Sequence, residues 1–317
     1  MTYALQAKNE LTRREFGKEC CQAAELIAFI RLSGNIQLSG KRLSLNVVTS
    51  NPAIARRIFS LFKQLFCLSS ELLVRRKIRL RKNNVYLIRI SEPFRVREVL
   101  TELGLMCGGA FVQELAEQIK KGKCCGRAYL RGAFLAAGSV SNPENSYHLE
   151  IFADYQQQAD DLAALIETFG LKAKVITRKN GYLVYLKDSE QIVAFLNVIG
   201  AHSALLNFEN IRILKDIRNR INRLVNFETA NVNKIVEAAV KQAELIRVID
   251  DSIGLAALEP PLQQLAKLRL QHPEASLQEL GEMLEPKLGK SGVNHRMRKL
   301  ERISNKIINK KCGKCSI

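Results

Sequence analysis

The chain lacks any apolar run of membrane length. The longest, such as Leu26 to Ile30, fall far short of the roughly 18 to 20 residues that a span needs. It also lacks the apolar block of a secretion signal, because Lys8, Glu10, Arg13, Arg14 and Glu15 crowd the N-terminus. Glycine-rich phosphate loops are missing: Gly108-Gly109 stands alone, with no Lys-Ser/Thr after it. Histidine is scarce, at four, and His148, His202 and His272 have no acid or nucleophile at suggestive spacing. These absences exclude a helical membrane protein and leave no site for a small-molecule substrate or a cofactor. The expected compartment is the cytoplasm, where the eight cysteines are reduced thiols.

Negative charge is also in short supply. Against 49 Lys and Arg stand 31 Asp and Glu, a formal net charge of +18 over 317 residues. The excess is concentrated. Residues 71–97, 212–223 and 286–317 carry net charges of +7, +4 and +9, so the remainder is close to neutral. Three basic clusters on a balanced chain favour a long polyanion, and double-stranded DNA is the expected partner. No basic amphipathic helix with large aromatics on its other face speaks for a membrane surface.

An internal duplication runs at a spacing of 104 residues. Cys20-Cys21 recurs as Cys124-Cys125, Ala24 to Ile36 as Ala128 to Val140, and Leu45 to Val48 as Leu149 to Phe152, without a gap. Each copy reads as an apolar helix ending at a glycine, Gly34 or Gly138, which suits the left-handed position after a helix. A strand follows, with Leu43, Leu45 and Val47 alternating in one copy and Leu149 and Ile151 in the other. Next come a helix, at about 52–66 and 156–169, and two strands turning at Asn83-Asn84 and at Lys179-Asn180-Gly181. Small residues on the glycine-ended helices, Ala28 and Ser33, then Gly132, Ala133, Ala136 and Ala137, let two helices approach closely.

In this respect the sequence resembles the LAGLIDADG homing endonucleases. The resemblance implies two motif helices packed together beneath paired sheets that cradle DNA. It also implies an acidic residue just before each terminal glycine, holding the divalent metal of phosphodiester cleavage. Ser33 and Ala137 occupy those positions, so the metal ligands are missing, and neither catalytic nor metal-binding residues are expected.

The last quarter reads as helical. Val232, Ile235, Val236, Ala239, Val240, Ala243, Ile246 and Ile249 define a long amphipathic helix, and Pro260-Pro261 starts another that His272-Pro273 ends. Ser276 and Glu279 form a capping-box signature, and 285–290 reads as a turn. A final helix from about Ser291 turns Val293, Met297, Leu300 and Ile303 inward. Ser291, His295, Arg298 and Arg302 then lie opposite, with Lys299 beside them. Cap, turn, inner face and basic outer face together describe a helix-turn-helix, whose second helix enters the major groove. The DNA-binding candidates are Ser291, Asn294, His295, Arg296, Arg298, Lys299 and Arg302. Arg75, Lys77, Arg79 and Arg81 on a strand, and Arg218, Arg220 and Arg223 on a connecting stretch, are further candidates for phosphate contact. That stretch also carries Ile213, Leu214, Ile217, Ile221 and Leu224, which suit packing on the scaffold.

The duplicated module, the stretch Asn210 to Asn231 and the run from Ser276 to Leu300 together resemble the WhiA family of bacterial DNA-binding regulators. That resemblance implies roles in cell division, chromosome segregation and transcriptional control, in the cytoplasm and on the nucleoid. The expected fold is α+β: a duplicated LAGLIDADG-like αββαββ scaffold followed by an all-α helix-turn-helix domain. The expected limits are a first repeat at 1–110, a second at 111–205, a basic linker at 206–228 and a helical domain at 229–317, with the helix-turn-helix at about 275–308. Other regulatory proteins are a second class of expected partner. The competing expectation is a metal-dependent DNA endonuclease of the LAGLIDADG type, for which Glu25, Glu150 and Asp154 are the available carboxylates. Cys312-Gly313-Lys314-Cys315 has no second ligand pair beside it, and shared ancestry accounts for Cys20-Cys21 and Cys124-Cys125.

Overall fold

The structure is a computed structural model describing residues 2–39, 42–76 and 84–312. Two compact units divide between Asp216 and Ile217. The first opens on α1 (Tyr3–Thr12), α2 (Glu19–Ser33), β1 (Gly34–Ser39), β2 (Arg42–Thr49), α3 (Pro52–Phe66), β3 (Glu71–Arg76), β4 (Asn84–Ile90) and α4 (Pro93–Glu102). A small ribbon, β5 (Met106–Cys107) and β6 (Ala110–Phe111), and the short α5 (Glu117–Lys121) lead into the second copy. That copy comprises α6 (Lys123–Ala137), β7 (Gly138–Val140), β8 (Leu149–Ala153), α7 (Gln156–Glu167), β9 (Lys174–Arg178), β10 (Gly181–Leu186) and α8 (Ser189–Ile199). The chain continues as α9 (His202–Ile253), α10 (Pro260–Gln271), α11 (Leu277–Met283) and α12 (Lys290–Cys312). This is the α+β architecture expected from the duplication and the helical C-terminal quarter.

The repeat extends to strand order and register. One sheet runs β1-β2-β4-β3 and the other β7-β8-β10-β9. Gly34 pairs with Val47 and Gly138 with Ile151, each 104 residues on. Leu45 faces Ile90 and Leu149 faces Leu186, so the last strands are 96 residues apart. The first copy therefore carries eight more residues between its second helix and its last strand than the second copy. They fall around the β3–β4 connection, where 77–83 lie outside the described residues. Each copy also ends in a helix, α4 or α8, absent from the expected αββαββ order.

At the centre lie α2 and α6, each 15 residues long and buried over most of its surface. Equivalent positions meet: a Cβ on Gly132 would come within 2.6 Å of the Glu25 carbonyl oxygen and 2.9 Å of the Ala28 Cβ. The expectation for Gly34 and Gly138 is corrected. Both are extended, at φ −87° and −81°, and open a strand directly. Glycine is needed there because a Cβ would strike the residue four earlier, Ile30 or Phe134. The constraint is space, with no left-handed turn involved.

The helix at the N-terminus was not foreseen. α1 supplies Leu11 and Ala7 to the core, and its Glu10 carboxylate accepts hydrogen bonds from the Ser203 and Ala204 N–H groups, at 2.7 and 2.9 Å. A carboxylate thus satisfies free donors at the start of α9.

In the second unit Leu262, Leu265, Ala266, Leu280, Leu284, Val293, Met297 and Leu300 are buried together with Ile246 and Ile249. The stretch expected as a linker is helical throughout and continuous with the helix after it. Of the expected inward face of that helix, Ala239, Ala243, Ile246 and Ile249 are buried, whereas Val232, Ile235, Val236 and Val240 are about half exposed. Ile213, Leu214, Ile217, Ile221 and Leu224 are exposed as well, against the expectation that they pack on the scaffold.

Helix propensity alone favours alanine over glycine by about 1 kcal/mol. Crowding at the α2–α6 crossing reverses that preference, so Gly132→Ala is expected to lower stability by about 1–3 kcal/mol. Urea unfolding of the full chain provides the measurement, and a stabilised variant would mean that the helices are not in this contact.

Candidate nucleic-acid interface

The helix-turn-helix forms as its local chemistry demands. The Ser276 hydroxyl accepts from the Glu279 N–H, and the Glu279 carboxylate accepts from the Ser276 N–H at 2.7 Å, closing the capping box of α11. The turn folds back through a 2.9 Å bond from the Leu288 N–H to the Gly281 carbonyl. Buried Arg269 of α10 donates to the carbonyls of His272, Pro273 and Ala275, fixing the approach to α11. Sequence periodicity gives Arg269 no such role, since a lone arginine near a helix end reads as a solvated charge.

On α12, Val293, Met297 and Leu300 are buried and Ile303 is partly so. Ser291, His295, Arg298, Lys299 and Arg302 are all exposed. Asn294 and Arg296 are half-buried. Asn294 and the exposed Arg298, one turn apart, both line a groove with Ala238 and Gln242 of α9. Ser291 sits in the first turn of α12, where free backbone N–H groups favour an anion.

The strand candidates divide. Arg75 lies on β3, exposed, opposite Val85 of β4. Alternation along β4 then puts Arg75 on the same sheet face as Arg89, which donates to Asn46 at 2.8 Å. Lys77, Arg79 and Arg81 lie outside the described residues. The second sheet has its own exposed bases in Lys174 and Arg178, two pleats apart on β9. The 174/176/178 alternation was the available signal for them. Arg218, Arg220 and Arg223 are exposed on α9, and Lys215 reaches the Pro143 carbonyl at 3.1 Å.

At the ends of the motif helices, the Ser33 hydroxyl donates back to the Phe29 carbonyl at 2.9 Å. Glu25 is buried among two arginines: Arg57 Nε and Nη2 donate to both carboxylate oxygens, and Arg131 Nε adds a 3.1 Å bond. Two guanidinium groups already balance this buried carboxylate, and their positive charge opposes a metal cation beside it. The Glu150 carboxylate accepts from the His148 Nε2–H at 3.0 Å. Asp154 lines a cleft beside Gly34 and Asn35 with Arg31 and Gln158, and no second carboxylate among the described residues lines it. The three acids therefore do not converge. The four thiols of Cys20, Cys21, Cys124 and Cys125 do, within 4.8 Å of one another.

Three family descriptions match the chain: the WhiA N-terminal LAGLIDADG-like domain over 19–106, the WhiA LAGLIDADG-like domain over 126–218, and the WhiA C-terminal HTH domain over 221–304. A protein of Desulforamulus reducens named "Probable cell division protein WhiA" is 54% identical over 310 residues, covering 97% of this chain and 96% of that protein. The chain belongs to the WhiA family. A WhiA protein of Shouchella clausii with the same name is 51% identical, covering 98% of this chain and 96% of the other. The crystal structure of full-length WhiA from Thermatoga maritima matches with a TM-score of 0.58 at 26% identity, over 96% of this chain and 99% of that one. The crystal structure of an N-terminal LAGLIDADG domain of DUF199/WhiA matches with a TM-score of 0.51 at 23% identity, over 63% of this chain and 90% of that one.

The Ser276 N–H and hydroxyl hold the Glu279 carboxyl below the usual carboxylate range. The stabilisation from the carboxylate half of the box is therefore fully present above the unfolded carboxyl's pKa and is lost as pH falls through the lowered folded value. Ser276→Ala is expected to cost about 1 kcal/mol. Amide protection across 276–283 reads both effects: lower protection in the variant at neutral pH, and lower protection of both proteins in acid, with the difference due to the hydroxyl persisting.

Proposed function

We propose that this WhiA family member is a non-catalytic, sequence-specific DNA-binding protein of cell division and chromosome segregation, acting in the cytoplasm on the nucleoid as a regulator of transcription or chromosome organisation. The observation that carries the reading is the outward face of α12. Five polar or basic residues, Ser291, His295, Arg298, Lys299 and Arg302, are exposed on a helix whose opposite face is buried behind a capped turn. Guanidinium groups at 298 and 302 suit guanine edges or phosphates, and Ser291 suits a phosphate at the helix start. The names of the relatives support the part of that reading that concerns cell division. No helix among the described residues is long and apolar enough to cross a membrane.

The scaffold is read as a second, electrostatic contact. Arg75, Arg89, Lys174 and Arg178 lie on its strands, and Arg218, Arg220 and Arg223 extend the basic character along α9. Such contacts fix position along a duplex without reading sequence. Endonuclease chemistry is disfavoured by Ser33 and Ala137 at the helix ends and by the engagement of Glu25 with Arg57 and Arg131.

Duplexes enriched by the full chain from a random pool supply the probe. Arg298→Ala with Arg302→Ala is expected to weaken binding to them at least tenfold, and to reduce the salt dependence of log K by up to about 0.9 per lost phosphate contact. Unchanged affinity across a salt titration would remove α12 from its role. Supercoiled plasmid incubated with the protein and Mg²⁺ or Mn²⁺ is expected to stay intact. Nicking abolished by Asp154→Asn would restore the endonuclease reading.

A further inference from the structure

We propose that Cys20, Cys21, Cys124 and Cys125 form a four-thiolate site for a zinc-class divalent cation, one that ties the two repeats together at the N-terminal ends of α2 and α6. All four Sγ atoms lie within 4.8 Å of one another, although more than a hundred residues separate the two pairs. A tetrahedral Zn–S₄ site with bonds of about 2.3 Å sets its sulfurs about 3.8 Å apart. Cys124 and Cys125 already stand at 3.8 Å. Closing the rest needs rotamer adjustments within one turn of two rigid helices. The sulfurs are far from the roughly 2 Å of a disulfide.

The donor set selects the ligand class. Four thiols with no oxygen or imidazole donor among them favour zinc or a softer cation over magnesium or calcium. Binding replaces up to four thiol protons with one cation and leaves a net charge of about −2. The surroundings oppose that charge with partial positive charge. All four cysteines lie in the first turns of helices, neither of which has a side-chain cap, and Lys18 and Lys123 flank them, against Glu19 as the acid of those two turns. Cys21 and Cys125 are buried and Cys20 and Cys124 exposed, which gives a shielded floor and an entry path.

The place in the fold gives the site its purpose. The 15-residue helices put it about 20 Å from Gly34 and Gly138, at the opposite end from where a LAGLIDADG metal would sit. Each repeat supplies two ligands, so neither completes the site alone. A cation there cross-links helices that already touch at Gly132 and closes a long loop of chain.

The test uses the full chain purified anaerobically under reducing conditions, stripped with chelator and reloaded with Zn²⁺ or Co²⁺. Elemental analysis should find about one metal per chain, and cobalt should give the thiolate charge-transfer and visible bands of a tetrahedral site. Cys20→Ser with Cys124→Ser, both at exposed positions, should lose the metal and the bands. Cys312→Ser with Cys315→Ser should keep both. The melting temperature of the wild type should fall on chelation. Reduced wild-type protein that retains no metal and shows no cobalt bands would overturn the proposal, as would metal lost with the 312/315 pair and kept without Cys20 and Cys124. A disulfide among the four in the anaerobic preparation would overturn it too. The wild-type cobalt spectrum and the 312/315 variant decide the matter even if the Cys20/Cys124 variant does not fold.

Discussion

The fold of the first unit depends on one close approach: the backbone of α6 at Gly132 against the Glu25 carbonyl and the Ala28 methyl of α2. Helices normally pack 8–10 Å apart, and only small residues at a crossing bring them closer. Every sheet and outer helix is then placed by its attachment to this pair. β1 and β7 leave the two helices without a loop, because Gly34 and Gly138 carry no side chain to clash with the turn they leave. What happens at the helix ends is therefore set by the crossing between them.

Around that crossing the two copies differ in polarity. Arg57 on α3 and Asp161 on α7 are equivalent positions in the repeat, and both are buried. Arg57 grips Glu25 of α2, with Arg131 of α6 joining; Asp161 instead accepts from Arg31 of α2 at 2.7 Å. Both ion pairs thus use α2 as partner, with charges reversed. A pair of this kind gains little over an apolar contact, but losing one member leaves an uncompensated buried charge costing about 3–5 kcal/mol. Reversed polarity also distinguishes the two outer helices, since α3 seated in the place of α7 would set Arg57 against Arg31. This is a means by which a duplicated sequence keeps each outer helix at its own site.

The duplication was legible because it needed no gap across the segment that matters most, and because apolar periodicity survives divergence where side-chain identity does not. The closing helices α4 and α8 were missed since the spacing changes from 104 to 96 across the first hairpin, which breaks the visual match. The glycines were found for the wrong reason. Sequence shows that a side chain is absent, and only geometry tells a left-handed turn from a lack of room. Periodicity also overestimated the inward face of α9, because an apolar stripe states what a helix could bury and not where its partners end. The turn and face of the helix-turn-helix were readable because a capping box, a turn and a 3.6-residue period are all local. The Glu25 triad and the four-thiol cluster were not. Both arise from residues brought together across the crossing, and a pair of cysteines before each helix gives no sign that the helices start side by side.

The same geometry accounts for a scaffold of nuclease type that stands without its acids. A carboxylate in the last turn of α2 or α6 would face the negative end of its own helix, and its counterpart would add a like charge. Both costs are offset in a cleaving enzyme by bound divalent metal. Ser33 and Ala137 remove them at source: one hydroxyl satisfies itself on the Phe29 carbonyl, and the other side chain is a methyl. The helix ends then carry no like charges for a cation to offset. Nothing in that exchange alters the crossing, the register or the sheets, so the surface of the module does not depend on acids at the helix ends. The two ends of the helix pair differ in the chemistry they offer: a hydroxyl and a methyl stand at one, and four thiols converge at the other.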